Sequence, residues 1–294
     1  MRGAIAGLLL LLAGGPVATG AERIPFIDAH VHLNNPEQQR ALMAEYGIKR
    51  AVVFWGRSSS NDSILAAAAA HPDLFIPFVS ISPERQAYRA LWTRDTADTA
   101  PPRLDELEAQ LATGKFRGIG EISVVHFPGA GFPEADFDPL SPVMQRIMVL
   151  AKQYDLPVLI HCEITRLREF SELLEHHPEV QVIWAHGGYS PLFLAERMLR
   201  RHPNLHYELS ARTWPQHPRS PDYTILRNGA EVWPEWLKLI EAMPTRFLVG
   251  TDATQRNQAL DRGKIESVQN FLAQLSPAAR KAVAEDNLLR LLKL

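Results

Sequence analysis

Along the chain, short apolar runs rich in β-branched and aromatic residues alternate with stretches whose hydrophobic positions recur every three or four residues. The short runs predict eight strands, at residues 25–31, 50–56, 74–81, 116–123, 157–163, 181–187, 205–211 and 246–252. The longer stretches predict helices at 62–70, 104–112, 140–153, 165–176, 191–201 and 234–242, with two more at 258–274 and 277–292. Several strands are apolar on both parities, as expected where both faces are covered. Strands separated by helices run parallel, because a parallel neighbour is reached only through a crossover. Eight of them predict an α/β fold, a distorted (β/α)8 TIM barrel made by one domain of residues 21–294. An open, doubly wound sheet is the alternative arrangement.

Three helical stretches end on His-Pro and an acid or amide: His71-Pro72-Asp73, His177-Pro178-Glu179 and His202-Pro203-Asn204. Histidine suits the negative end of a helix and proline stops it, so these histidines and His176 are assigned to structure. On the opposite side of the barrel, residues 82–103, 124–139 and 212–233 form long connections rich in Pro, Gly, Asp and Arg. Active sites of such barrels lie at the carboxyl ends of the strands, and loops of this length are expected to cover one.

The first twenty residues stand apart. Arg2 precedes an apolar run from Ala4 to Ala13, Gly14-Gly15-Pro16 breaks it, and small residues follow at Ala18 and Gly20. This reads as a secretory signal peptide cleaved after Gly20, too short to span a bilayer, and it predicts a secreted or periplasmic protein. The composition of the 294 residues, 46% hydrophobic and 22% charged, excludes a disordered or polytopic membrane chain. Lys+Arg 31 against Asp+Glu 33 offers no basic stripe, so nucleic acid is not an expected partner. A small-molecule substrate is expected, and the sequence is compatible with a homo-oligomer. The lone cysteine, Cys162, excludes an internal disulfide and leaves any metal to His and carboxylates.

Candidate ligands fall at strand ends. His30 and His32 alternate on the first strand and therefore share a face. Asp28, one layer deeper, is either an orienting acid or a buried structural one. Glu121 ends the fourth strand, His161 the fifth, His186 the sixth and Asp252 the eighth. Each follows an apolar run, where an unpaired ionisable group costs several kcal/mol. Six nitrogen and oxygen donors at one rim are better explained by a divalent metal than by accident. Around them, Arg57, Glu163, Arg212 and His126 are candidate substrate contacts, and Trp214 a candidate apolar wall. Cys162 has the opposite parity to His161 and is assigned to packing.

In this order of residues the chain resembles the metal-dependent amidohydrolase superfamily, in particular its amidohydrolase-related branch with a TatD-like ligand set. The closing Asn287-Leu288-Leu289-Arg290-Leu291-Leu292 also resembles that family's last helix. The resemblance implies that His30, His32 and Asp252 hold one metal, that His161 and His186 hold another, and that Glu121 bridges them. Single-metal members instead keep the sixth-strand histidine for catalysis. Zinc suits an imidazole-rich set, with manganese or iron as alternatives. The expected activity is hydrolysis of an ester, lactone, amide or phosphoester by a metal-activated water, with Asp252 and His186 as catalytic residues. A one-zinc decarboxylase of the same superfamily and a non-catalytic exported binding protein are the rival readings.

Overall fold

In a computed structural model, residues 23–81, 101–128 and 134–294 are described. The proposed signal segment, most of the 82–103 connection and the centre of the 124–139 connection lie outside them. Eight strands follow one another as expected: β1 (Phe26–Leu33), β2 (Ile48–Trp55), β3 (Phe75–Pro77), β4 (Ile119–His126), β5 (Val158–Cys162), β6 (Val182–Trp184), β7 (Leu205–Glu208) and β8 (Phe247–Leu248). β1, β2 and β3 pair in parallel in that order, and β8, β7, β6, β5 and β4 form a second parallel run. A two-residue strand, Ala135–Asp136, adds antiparallel to β4.

Two seams close the cylinder. Val79 bridges Ile119, joining β3 to β4, and Val31 bridges Ala253, joining β1 to the segment after β8. At the second seam Ala29 N–H donates to Val249 O at 2.9 Å, Asp252 N–H to His30 O at 2.9 Å, and His32 N–H to Ala253 O at 3.0 Å. This is the closed barrel, and the open-sheet alternative is excluded by the paired edges.

Two apolar layers follow from strand alternation. Phe26, Val53, Phe75, Ile160, Trp184, Tyr207 and Phe247 point outward and pack under the helices. Ile27, Ala29, Val52, Phe54, Ile76, Phe78, Leu159, Ile183 and Leu248 fill the interior, which Leu288, Leu291 and Leu292 of the last helix plug from below. Asn287 locks that plug by donating to Pro244 O and Phe247 O at 2.7 and 2.8 Å. Among the described residues the interior is therefore mainly apolar below the mouth.

Around it run α1 (Pro36–Tyr46), α2 (Asn61–Ala70), α3 (Pro101–Ala112), α4 (Pro142–Gln153), α5 (Leu167–His176), α6 (Leu192–Arg201), α7 (Pro234–Ala242) and α8 (Gln258–Ala273). The hydrophobic pattern leaves α1 unmarked, because its apolar residues crowd into the second half. Its punctuation marks it instead: the Asn35 side chain accepts from Gln38 N–H, Pro36 opens it, and Gly47 at φ 71° ends it. His71, His177 and His202 do cap α2, α5 and α6. Burial lowers the pKa of His177 and His202, so they act there as neutral hydrogen-bonding rings rather than as cations on the helix dipole.

Asp28 sits wholly buried at the β1–β8 seam, where it accepts from His30 N–H at 3.1 Å, Thr251 N–H at 2.9 Å and Thr251 Oγ1 at 2.6 Å. Burial pushes its carboxyl from 3.8 up to about 7, against the bonds from Thr251 and His30. A folded-state pKa above the unfolded one means that stability falls as pH rises from about 4 to about 7. In metal-free protein, Asp28→Asn keeps an acceptor and removes this titration. Its Tm measured across that window is expected to decline less steeply than the wild type's, and an unchanged slope would refute the assignment.

Candidate metal centre

Each candidate ligand reaches the mouth by a different local device. His30 and His32 stand at the end of β1 with their rings edge-on to Phe54, at 5.2 and 4.7 Å. Glu121 comes from β4 and His161 from β5. His186 lies past the end of β6, in a left-handed turn: His186, Gly187, Gly188 and Tyr189 have φ of 54°, 51°, 55° and 53°. A non-glycine residue in that region costs roughly 1–2 kcal/mol. At Gly188 the side-chain-free backbone is obligatory, because a Cβ there would stand 2.3 Å from Cys162 O. The turn aims His186 inward and stacks Tyr189 on its ring at 5.3 Å. Asp252 follows β8, itself at φ 54°.

Glu121 is the hub. Its Oε2 stands 3.6 Å from His30 Nε2 and 3.4 Å from His32 Nε2; its Oε1 stands 3.0 Å from His161 Nδ1 and 3.7 Å from His186 Nε2. Asp252 Oδ1 completes the first group, 3.8 Å from His30 Nε2 and 3.5 Å from His32 Nε2. The structure thus brings all six sequence-predicted ligands to one mouth, in two groups that share one carboxylate.

Whether these residues suit a cation can be judged from their outer bonds. His32 Nδ1 lies 3.0 Å from Trp55 O and His186 Nδ1 3.1 Å from Ser210 O, acceptors that require a proton on Nδ1. His30 Nδ1 lies 3.2 Å from the Glu208 carboxylate, with the same consequence. In each neutral ring the Nε2 lone pair then faces carboxylate oxygens. His30 Nε2 is buried and has no hydrogen-bond partner among the described residues. Lone pair opposite lone pair at 3.4–3.8 Å is repulsive unless something positive lies between. Two donors on one tetrahedral ion, each about 2.0–2.1 Å away, are ~3.3 Å apart, close to these separations. The donor set fits a divalent metal.

In the metal-free chain protons take that place. Burial opposes a charged His30, but the neighbouring Glu121 and Glu208 carboxylates raise its pKa well above the ordinary value. His161 rises to about 9 against burial, through its bonds to Glu121 and Glu163. Burial likewise opposes ionised Glu121, and the charge on His30, the bond from His161 and the nearby His186 ring hold it well below the ordinary range. Asp252 is also held low against burial, by the charges of Lys264, His30 and His32.

The sequence profile of the amidohydrolase family matches residues 20–294. The chain belongs to the amidohydrolase family. None of the curated proteins matches it. Among solved structures it is similar to an uncharacterised TIM-barrel protein from Bordetella bronchiseptica, at 17% identity and TM-score 0.62, over 92% of this chain and 99% of the other. It is similar to a 2,6-dihydroxybenzoate decarboxylase from Rhizobium, at 15% identity and TM-score 0.56, over 93% and 99%. A Burkholderia multivorans amidohydrolase with bound zinc shares 16% identity and TM-score 0.59, over 92% and 100%. At these identities the likeness is one of fold.

The outer residues of this amidohydrolase need correction. Arg212 is not at the rim: it is buried against the rings of Trp236 and Tyr207, at 5.2 and 6.0 Å, and donates to Ser190 O at 2.8 Å. Its residue number past β7 counts toward the mouth, but the chain turns outward there. Arg57 is exposed and makes no contact with the cluster that the structure records. Glu163 does stand beside His161, 3.3 Å from its Nε2, yet it is wholly buried and engaged. It accepts from Phe127 N–H at 3.0 Å and pairs with Arg219 at 3.1 Å. His126 lies over the same edge, its ring 4.7 Å from that of His161. With His161 and Glu163 it forms a further group of ligand-type atoms. Cys162 packs outward as expected, and burial pushes its thiol up.

Sequence reasoning missed Arg219, Tyr189, His217, Tyr223, Lys264 and Glu208. Arg219 lies over the rings of Tyr189 and Tyr223 at 4.8 and 5.2 Å, and Tyr189 and Tyr223 stack at 4.5 Å. His217 stacks on Trp214, so the expected wall residue belongs to this layer. Lys264 Nζ stands 4.7 Å over Trp214 and donates to Asp252 O at 2.5 Å. Residues 214–223 therefore form an aromatic and cationic roof beside the candidate metal donors. Only His32 and Asp252 in the donor set keep substantial side-chain exposure, 26% and 23%.

Because His30 and His161 start protonated, metal loading at pH 7 should expel about two protons per chain, and affinity should fall as pH falls. Calorimetry in buffers of different ionisation enthalpy reads this number, and a buffer-independent enthalpy would contradict it. Gly188→Ala is expected to cost roughly 2–5 kcal/mol in thermal unfolding and to abolish metal binding, through its clash with Cys162 O.

Proposed function

We propose that this amidohydrolase is a metal-dependent hydrolase. In this reading an activated water cleaves an ester, lactone or amide bond, or a phosphoester, of a small organic substrate. The observation that carries the reading is the division of Glu121, one oxygen toward His30 and His32 and the other toward His161 and His186. On that division His30, His32 and Asp252 would hold one ion, His161 and His186 a second, with Glu121 common to both; zinc suits the donors best. Such ions supply Lewis-acid polarisation of the scissile group and bring the pKa of a bound water toward roughly 7.

The protein groups supply positioning and proton transfer. Asp252 is held ionised, is reachable from solvent, and faces His32 and His30. It takes the proton from the attacking water and returns it to the leaving atom. Lys264 fixes the Asp252 backbone, so the carboxylate moves little during the exchange. His186, its Nδ1 bonded at Ser210, keeps Nε2 aimed at the reacting region. The roof of Tyr189, Tyr223, His217 and Arg219 limits access and favours a small substrate. We further propose export, with residues 1–20 removed as a signal, on the strength of the Arg2 start, the Ala4–Ala13 apolar run and the small residues Ala18 and Gly20.

Elemental analysis of the purified protein, paired with an ester, lactone, amide and phosphoester panel, tests the reading. Two equivalents of divalent metal with turnover are expected, and Glu121→Gln should lower occupancy and reduce kcat/KM at least ~100-fold. The similarity to a decarboxylase fold gives the rival outcome a definite form. One tightly held ion, activity that survives Glu121→Gln, and carbon dioxide released from an aromatic acid would replace hydrolysis by decarboxylation. Full occupancy without turnover of either kind would make the chain a binding protein.

A further inference from the structure

Glu208 ends β7, wholly buried, and the ligand set above does not use it. Its Oε2 lies 3.2 Å from His30 Nδ1 and accepts from the His186 N–H at 3.2 Å and from Ser210 Oγ at 2.7 Å. Its Oε1 accepts from Ser210 N–H at 2.6 Å. Ser210 in turn meets His186 Nδ1, through Oγ at 2.8 Å and through its carbonyl at 3.1 Å. A carboxylate and a carbonyl only accept, so both rings carry their proton on Nδ1 and present Nε2 to Glu121.

These two histidines belong to different halves of the centre. Nε2 of His30 faces Oε2 of Glu121, and Nε2 of His186 faces Oε1. We infer that Glu208 is a positioning residue that fixes the tautomer and aim of one histidine in each half, coupling the two metal sites through a single buried carboxylate. The inference rests on the two-ion reading above. A purely packing acid at this place would need donors, but it would not need to meet the Nδ1 side of both histidines, His30 directly and His186 through Ser210 Oγ.

His30, His186 and Glu208 also lie close enough to chelate one ion among themselves. Such an ion would have to replace the Nδ1 protons of both rings, which the Glu208 carboxylate and the Ser210 carbonyl and hydroxyl hold in place. The geometry therefore favours Glu208 behind the ligands rather than among them. Carboxylates in this relation to a metal-bound histidine commonly contribute 10–100-fold in metal affinity.

The test uses the full mature chain, stripped of metal and titrated with zinc against a competing chromophoric chelator. Glu208→Gln keeps the size and removes the charge that requires Nδ1–H. It is expected to weaken both zinc equivalents 10–100-fold while the chelator-treated protein keeps its wild-type fold by circular dichroism. Ser210→Ala removes the Oγ link between Glu208 and His186 Nδ1 and leaves the direct Glu208–His30 contact; it is expected to weaken one equivalent and spare the other. Histidine ¹⁵N shifts of the zinc-loaded Glu208→Gln protein should show His30 and His186 no longer confined to the Nδ1–H tautomer.

Wild-type affinity at both sites in Glu208→Gln overturns the inference, and weakening at one site alone overturns the shared role. If Glu208→Gln does not fold, Ser210→Ala decides, and unchanged affinity at both sites overturns the coupling. Fewer than two zinc equivalents in the wild type would instead refute the two-ion reading itself.

Discussion

Four carboxylates, Glu121, Glu163, Glu208 and Asp252, and four imidazoles, His30, His32, His161 and His186, are confined at the carboxyl end of one barrel. Burial there denies most of them water, so each charge must be answered by a neighbour. Glu121 cannot be relieved by any single partner, since imidazoles surround both its oxygens. In the metal-free chain protons on His30 and His161 answer it. On the reading proposed above, a divalent cation would answer it better, because it would satisfy the Nε2 lone pairs as well as the carboxylates. The same crowding that makes the site costly to fold is what would favour a divalent ion there.

The scaffold meets this cost with a rigid frame. The β1–β8 seam sets His30 and His32 against Asp252 through three backbone bonds and the buried Asp28–Thr251 contact. The left-handed turn after β6 does the corresponding work for His186, with Gly187 and Gly188 bearing conformations that side chains resist. Below, the apolar interior and its helical plug fill the base of the barrel.

Above the ligands, the roof is held by charge rather than by regular structure. Arg219 is pinned between Glu163, Phe127 O and two tyrosine rings, and Lys264 ties Trp214 to the backbone of Asp252. Glu163 thus serves two ends at once: it braces His161 from behind and anchors the covering loop. An altered roof would for that reason be felt at a ligand.

The sequence by itself determined the closed barrel and the six donors at its mouth. Alternating short apolar runs and amphipathic helices admit few other folds, and His30, His32, Glu121, His161, His186 and Asp252 stand out as polar residues ending apolar strands. It also marked the His-Pro helix ends, because proline stops a helix, and the outward packing of Cys162, because strand parity decides it. Only the tertiary structure decided which other residues matter. Glu208 looks in sequence like any acid in a strand, and its significance arises from His30, His186 and Ser210 converging on it from three parts of the chain. Arg212 and Arg219 are equivalent in sequence, both loop arginines after β7. The path of the loop buries the first under α7 and brings the second to Glu163, because three-dimensional packing, not spacing along the chain, sets which charge finds which partner.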